Sequence, residues 1–183
     1  MVEGSPPRAD AVRNRARILD AAETVFAESG PRASTEEVAR RAGVAIGTVF
    51  RHFPTKNDLL AAIMKRLLAQ LIDDAGRHDL FTFFTHMVAQ AAAKKTVVDL
   101  LTGAGVDIRL PDAVAPLTQA VGTLLQQAQA AGAVDDRVRT PEVMALLASV
   151  CQGALHGGWD QHLQSRTLAV IFAGLQHPLT TNR

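Results

Sequence analysis

The chain has 183 residues, 48% hydrophobic but only 4% aromatic, with a net charge of +1 and one cysteine, Cys151. That length can bury a substantial core in one domain or in two small ones, and so few aromatics force the core to be built from Ala, Leu and Val, which favours packed helices over a sheet. The near-neutral balance excludes coating of nucleic acid by bulk charge, and the lone cysteine excludes an internal disulfide or a thiolate metal cluster within one chain; no run of about 18 apolar residues marks a membrane span.

In chain order, residues 1–10 carry Gly4, Pro6 and Pro7 and are expected to form a disordered or extended arm. MVEGSPPRAD has no apolar stretch of signal-peptide length, so a cytoplasmic protein is expected. Charge is unevenly placed: nine Lys/Arg face seven Asp/Glu across 1–56, and Arg8, Arg13, Arg15 and Arg17 lie close together near the N-terminus. This predicts a local basic arm rather than a basic surface. A first helix is predicted to Ser29, with Ile18, Ala22, Val25 and Phe26 on one stripe, stopped by Gly30 and Pro31.

Ser34 and Glu37 have capping-box spacing, in which the serine oxygen accepts from the Glu37 N–H and the glutamate returns the bond, so a second helix starts there. It ends at Gly43, where a left-handed turn is free of Cβ strain. A short third helix runs from Ala45 or Ile46 to His52, closed by Pro54. Thr55 and Asp58 repeat the cap spacing and open a fourth helix. It carries two adjacent apolar rows, Leu59, Ile63, Leu67, Leu71 and Leu60, Met64, Leu68, Ile72, a face wide enough to touch two bodies. Gly76 is expected to end it.

Asp79 is placed to cap a further helix with Leu80, Phe84, Met87, Val88 and Ala91 in register. A short helix through 97–101 and a loop to Pro111 follow. The next helix aligns Leu117, Val121, Leu124, Leu125 and Ala128, with Pro116 near its start and Gly132 as its stop. Thr140 as cap with Pro141 starts another, striped by Val143, Leu147, Val150, Cys151 and Ala154. The last helix, from Gln161 or Ser165 to Gln176, carries Leu168, Ile171, Phe172 and Leu175. No repeat, low-complexity tract or strand is apparent in the pattern.

The stretch STEEVARRAGVAIGTVFRHFPTK, Ser34 to Lys56, therefore reads as a helix, a tight glycine turn and a second helix, the arrangement that places its second helix in the DNA major groove. Ala45 and Gly47 are small enough for close approach, Thr48, Arg51 and His52 supply polar groups, and Lys56 beside a helix N-terminus can hold a phosphate. Val38, Ala39, Val44, Val49 and Phe53 are expected to form the small core that fixes the two helices.

At these residues the chain resembles the TetR family of bacterial transcriptional regulators. Ser34, Val38, Ala39, Ala42, Gly43, Val44, Gly47, Thr48, Phe50, His52, Phe53, Lys56 and Leu59 stand in step with the family's helix-turn-helix, a match that spans about Asn14 to Leu60. Two positions depart from it. Ala45 replaces a frequent capping serine and Phe50 a phosphate-binding tyrosine, each removing a contact worth on the order of 1 kcal/mol. The resemblance implies an all-α homodimer of about nine helices, divided into an arm at 1–10, a DNA-binding domain at 11–54 and a ligand-binding and dimerisation domain at 55–183. It also implies that the last two long helices, about 141–156 and 161–176, pair across the two-fold axis.

The expected DNA-binding residues are Arg13, Arg15, Ser34, Ala45, Ile46, Gly47, Thr48, Phe50, Arg51, His52 and Lys56. The expected effector pocket involves Leu67, Leu71, Phe81, Phe84, Met87, Val88, Leu125, Leu147, Cys151 and Trp159. No cofactor is expected. Cys151, His156 and Asp160 invite a nucleophile-and-base reading, but their spacing offers no oxyanion hole, and a buried thiol is the better account. His156, Asp160 and His162 invite a metal, but Gly157 and Gly158 break the register that would converge them.

These observations predict a non-enzymatic, ligand-responsive repressor that binds a near-palindromic double-stranded DNA operator as a homodimer and is released by a small, mainly apolar effector. The alternatives are a small-molecule or metal-binding helical protein, or a ligand-independent regulator.

Overall fold

A computed structural model of the chain describes residues 7–93 and 110–176, without the side chains of 7, 8, 31, 92, 93 and 110–113. Among the described residues there are eight α-helices and no strand: α1 Pro7–Ser29, α2 Thr35–Ala42, α3 Ile46–His52, α4 Lys56–Ala75, α5 Leu80–Ala93, α6 Leu110–Ala130, α7 Thr140–His156 and α8 Gln161–Gln176. The all-α expectation is met. The short helix expected through 97–101 lies outside the described residues.

The chain forms two compact units whose boundary falls between Arg66 and Leu67, inside α4. In the first unit α1 begins at Pro7, so the last residues of the expected arm are helical. Proline is tolerated there because a first-turn N–H has no intrahelical partner to lose, and Asp10 complements the positive helix end. A 3₁₀ turn, Gly30–Arg32, ends α1. The buried apolar residues described in this unit are Ile18, Leu19, Ala21, Ala22, Val25 and Phe26 of α1, Ala33 just before α2, Val38, Ala39 and Ala42 of α2, Val49, Phe53, and Leu59, Leu60 and Ile63 of α4.

The caps explain the element boundaries. Ser34 Oγ accepts from Glu37 N at 3.2 Å, but the returning half of that box is absent. The Glu37 carboxylate instead takes bonds from Arg40 at 2.8 and 2.5 Å, since a guanidinium is a stronger partner than an amide. The box at α4 is complete: Asp58 N donates to Thr55 Oγ1 at 3.1 Å and Thr55 N donates to Asp58 Oδ2 at 2.9 Å.

In the second unit α5 packs on α6, α7 and α8. Leu80, Phe83, Phe84 and Val88 of α5 are buried with Val121, Leu124, Leu125, Val143, Leu147, Val150 and Leu168, while Leu68, Leu71 and Ile72 of α4 pack on that core. Each fully buried Phe or Leu contributes about 1.5–3 kcal/mol relative to exposure, so α5 anchors the unit. Asp79 caps α5, accepting from the N–H of Phe81 and Thr82 at 2.9 and 3.0 Å. These bonds, led by those from Thr82, hold its carboxyl below the usual carboxylate range.

Two boundaries differ from expectation. α6 starts at Leu110 and carries Pro116 inside it, so Pro111 is helical and does not end a loop. Arg139, not Thr140, is the N-cap of α7. Its N–H donates to Glu142 at 2.8 Å, so the acidic residue three positions on makes the cap. The loop between α6 and α7 is held by Gln129, whose side-chain amide donates to the carbonyls of Asp135 and Val138, both at 3.0 Å.

Candidate nucleic-acid interface

The turn between α2 and α3 is built on Gly43, in the left-handed region at φ 64° and ψ 40°. Arg17 completes it by donating to the Gly43 carbonyl at 3.3 Å. A Cβ at Gly43 would stand 2.7 Å from the Arg17 guanidinium, so a side chain there meets backbone strain and displaces the arginine that closes the turn. Glu28 of α1 joins Arg41 of α2 at 2.8 Å. The same bond lowers the Glu28 carboxyl pKa and raises that of Arg41.

α3 offers a solvent face. Gly47 and Arg51 are exposed, as are Ile46 and Phe50 at 37% and 44%, while Val49 faces inward at 0%. Thr48 and His52 are half-buried at the edges of this face. Nothing lies within 4 Å of a Cβ built on Gly47. A helical glycine costs roughly 0.5–1 kcal/mol against alanine, and no neighbour among the described residues demands it. Ala45 takes the N-cap position of α3 without a side-chain bond. Its N–H groups remain open to an anion at the helix start.

The other expected residues divide. Arg13 is exposed and paired with Asp10. Arg15 lies with its guanidinium carbon 5.2 Å from the centroid of the Phe53 ring, so it is held near the end of α3. Ser34 is occupied as the cap of α2. Lys56 is turned inward: its ammonium donates to the Ala33 carbonyl at 2.8 Å and sits 5.5 Å from the centroid of Phe26. Arg51 has no partner among the described residues, which leaves its whole donor fork for an external acceptor. Sequence reading passed over Arg66, which joins Asp20 at 2.6 Å and Glu23 at 2.7 Å and so ties α1 to α4.

In the second unit Phe84, Val88, Leu125 and Leu147 are buried core residues, and Leu71, Phe81, Met87, Cys151 and Trp159 are half-buried against them. Leu67 is half-buried as well. A pocket of about 260 Å³ is lined by Asp79, Leu80, Phe81, Leu124, Gln127, Ala128, Ala131 and Ala133, so Phe81 alone of the expected residues forms its wall. Burial pushes the Cys151 thiol up to about 11, leaving it protonated and unreactive at neutral pH. Asp160 accepts from Leu163 N at 2.7 Å, which makes it the α8 cap. Trp159 folds back on α7: Cβ atoms at Gly153 and Gly157 would meet its indole at 2.5 and 2.6 Å. Its ring thus packs on the α7–α8 turn.

Three helices, the last presenting an exposed, glycine-relieved face beside basic residues of α1, define a helix-turn-helix nucleic-acid-binding protein. The profile of bacterial regulatory proteins of the tetR family matches residues 18–63, and that of the SbtR-like transcriptional regulator C-terminal domain matches residues 74–177. The chain belongs to the TetR family of transcriptional regulators. It is 39% identical to a TetR transcription regulatory protein of known structure from Mycobacterium vanbaalenii, covering 93% of this chain and 99% of that one at a TM-score of 0.75. A TetR transcriptional regulator from Streptomyces coelicolor is 28% identical over 88% of this chain and 97% of its own, with a TM-score of 0.70. A repressor of the helix-turn-helix type from Mycobacterium tuberculosis is 47% identical over 57 residues, 31% of this chain and 30% of that protein. The chain spans about a third of the length of such curated relatives.

Proposed function

We propose that this regulator is a homodimeric repressor without enzymatic activity, which binds a near-palindromic double-stranded operator and leaves it when a small apolar effector binds the second unit. The observation that carries the DNA reading is the face of α3 around Gly47 and Arg51. There a glycine unexplained by any protein contact adjoins a guanidinium with all its donors available. Arg51 would read base edges, Thr48 and the free N–H groups at Ala45 would meet phosphate, and Arg13 and Arg15 would add charge from α1. Lys56 contributes through the fold, because its ammonium supports Ala33.

Repression rather than activation is favoured by the name of the M. tuberculosis relative, a repressor. The dimer reading draws on the outer face of α8, where Leu163 and Val170 stand seven positions apart at 45% and 73% exposure. Two exposed apolar residues one heptad apart give a stripe on which a second helix can pack. The packing of α1–α3 speaks for a DNA-binding part at 11–54 and an effector part at 55–183, although the compact units part later, between Arg66 and Leu67 in α4. An effector of modest size suits the pocket beside Phe81, which falls below the roughly 300–1,000 Å³ of drug-sized sites.

The test is selection of duplexes from a random pool by the full chain, followed by anisotropy titration. The expected outcome is a near-palindrome with half-sites one helical turn apart, about 34–36 Å, and a loss of about 1–3 kcal/mol for Arg51→Ala. Failure to enrich any sequence, or an Arg51→Ala protein with undiminished affinity, overturns the reading.

A further inference from the structure

From the second unit we infer a binding site for a divalent transition-metal ion, formed by Asp74, His78 and His86. The last turn of α4 supplies Asp74, the tight connection to α5 supplies His78, and α5 itself supplies His86. Arg77 N donates to Asp74 O at 3.0 Å, which curls the connection back so that His78 returns beside Asp74. His78 Nε2 lies 3.3 Å from Asp74 Oδ1, and His86 Nδ1 lies 3.4 Å from Asp74 Oδ2. The ligand atoms of all three residues fall within 4.8 Å of one another, the one such group among the described residues. The two imidazoles meet edge to face with centroids 4.5 Å apart.

The spacing has a chemical meaning. Bonds of about 2.0–2.1 Å arranged tetrahedrally put neighbouring ligand atoms about 3.3–3.4 Å apart; each imidazole comes that close to the Asp74 carboxylate, His78 at Oδ1 and His86 at Oδ2, so one ion would draw both rings to a shared carboxylate. Independently, Asp74 Oδ2 is buried and has no hydrogen-bond partner, although His86 Nδ1 is near it. A buried carboxylate oxygen left in that state carries a desolvation cost that a cation between the three side chains would offset.

Two imidazole nitrogens and one carboxylate oxygen suit zinc, cobalt or nickel better than calcium or magnesium, which prefer all-oxygen shells. Three protein ligands leave a fourth position for water or an external ligand. The residues concerned are partly open, Asp74 at 17%, His78 at 30% and His86 at 44%, so an ion can enter from solvent. Sequence spacing concealed the site because His86 joins from the next helix.

The test uses the untagged full chain, freed of metal by a chelator, titrated with Co²⁺ by visible absorption and with Zn²⁺ by calorimetry. One ion per chain is expected, with Zn²⁺ displacing Co²⁺ and raising the melting temperature. His78→Ala and His86→Ala should each weaken binding by at least the ten- to hundredfold that loss of even an outer partner costs. Asp74→Asn, which keeps the side-chain shape, should do the same while the metal-free melting temperature stays near that of the parent. His162→Ala should leave binding unchanged. The absence of saturable binding at micromolar Zn²⁺, retention of the ion by the His78/His86 double variant, or its loss on replacing His162 instead would overturn the assignment.

Discussion

Lys56 Nζ donates to the carbonyl oxygen of Ala33 at 2.8 Å, and the same ammonium faces the buried ring of Phe26. One cation thereby ties the start of α4 to the turn before α2 and to the core of α1. A phosphate would compete with Ala33 for that group. Lys56→Ala is therefore expected to destabilise the protein by about 1–2 kcal/mol, the range of a half-buried charged hydrogen bond with some cation–π attraction. Urea unfolding measures this. An unchanged midpoint, together with a salt slope for operator binding reduced by about one, would instead mean that Lys56 serves DNA.

Gly47 separates stability from function. Its φ is ordinary and a Cβ would meet no protein atom within 4 Å, so Gly47→Ala should stabilise α3 by roughly 0.5–1 kcal/mol. The same methyl group would stand on the face that approaches the groove, and operator affinity should fall. Thermal unfolding and anisotropy titration of one variant check both. A rise in affinity alongside stability would remove Gly47 from the interface.

These two residues mark how far the sequence was legible. The helix-turn-helix was readable because each of its signals is local: Ser34 and Glu37 start α2, Gly43 turns the chain, and Pro54 stops α3. What Lys56 does was not, since its partner is 23 positions away and a lysine beside a helix start has the same local signature whether it turns inward or out. The same holds for Glu37, which the spacing assigned to a cap and Arg40 claimed. In the second unit periodicity located the core faces correctly, but periodicity cannot say whether a half-buried ring lines a cavity or fills a turn, and Trp159 fills one.

Cys151 gives a pH-dependent prediction. Its thiol is raised to about 11 by burial, above the roughly 8.5 of a free cysteine. In the folded protein it therefore stays protonated through neutral pH, and stability linked to it is full below the unfolded value and lost as pH rises through the folded one. Iodoacetamide labelling at pH 8 should be much slower for the native protein than for the protein in urea, with the native rate climbing towards pH 11. Rapid native labelling at pH 7 would show an open, activated thiol instead.

The exposed apolar face of α8 predicts a subunit contact. Val170→Glu, at a position 73% exposed, removes no packing within the chain, so the folded monomer should keep its helical content. Burying a carboxylate against a second copy is costly. Sedimentation should therefore show a dimer for the parent and a shift towards monomer for the variant, with operator affinity falling in parallel. A variant that remains fully dimeric would move the interface elsewhere.

The indole of Trp159 occupies the space that side chains would need at Gly153 of α7 and at its C-cap, Gly157, and this can be tested by a cycle of substitutions. A Cβ at Gly153 would lie 2.5 Å from the ring carbon Cζ2. Gly153→Ala must displace the indole or the turn that carries it, and overpacking of this kind costs about 1–3 kcal/mol. Trp159→Ala alone leaves Gly153 bare and loses the packing of a large ring. With the ring gone, however, the same Gly153→Ala change no longer meets its three nearest atoms, and inside a helix alanine is favoured over glycine. The effect of Gly153→Ala on the urea midpoint should consequently change sign, destabilising in the parent and neutral or stabilising with Trp159→Ala. Additive effects would mean that the indole yields without strain and that the α7–α8 turn is held by other contacts, among them the bond from Gln164 Nε2 to the Trp159 carbonyl at 2.9 Å.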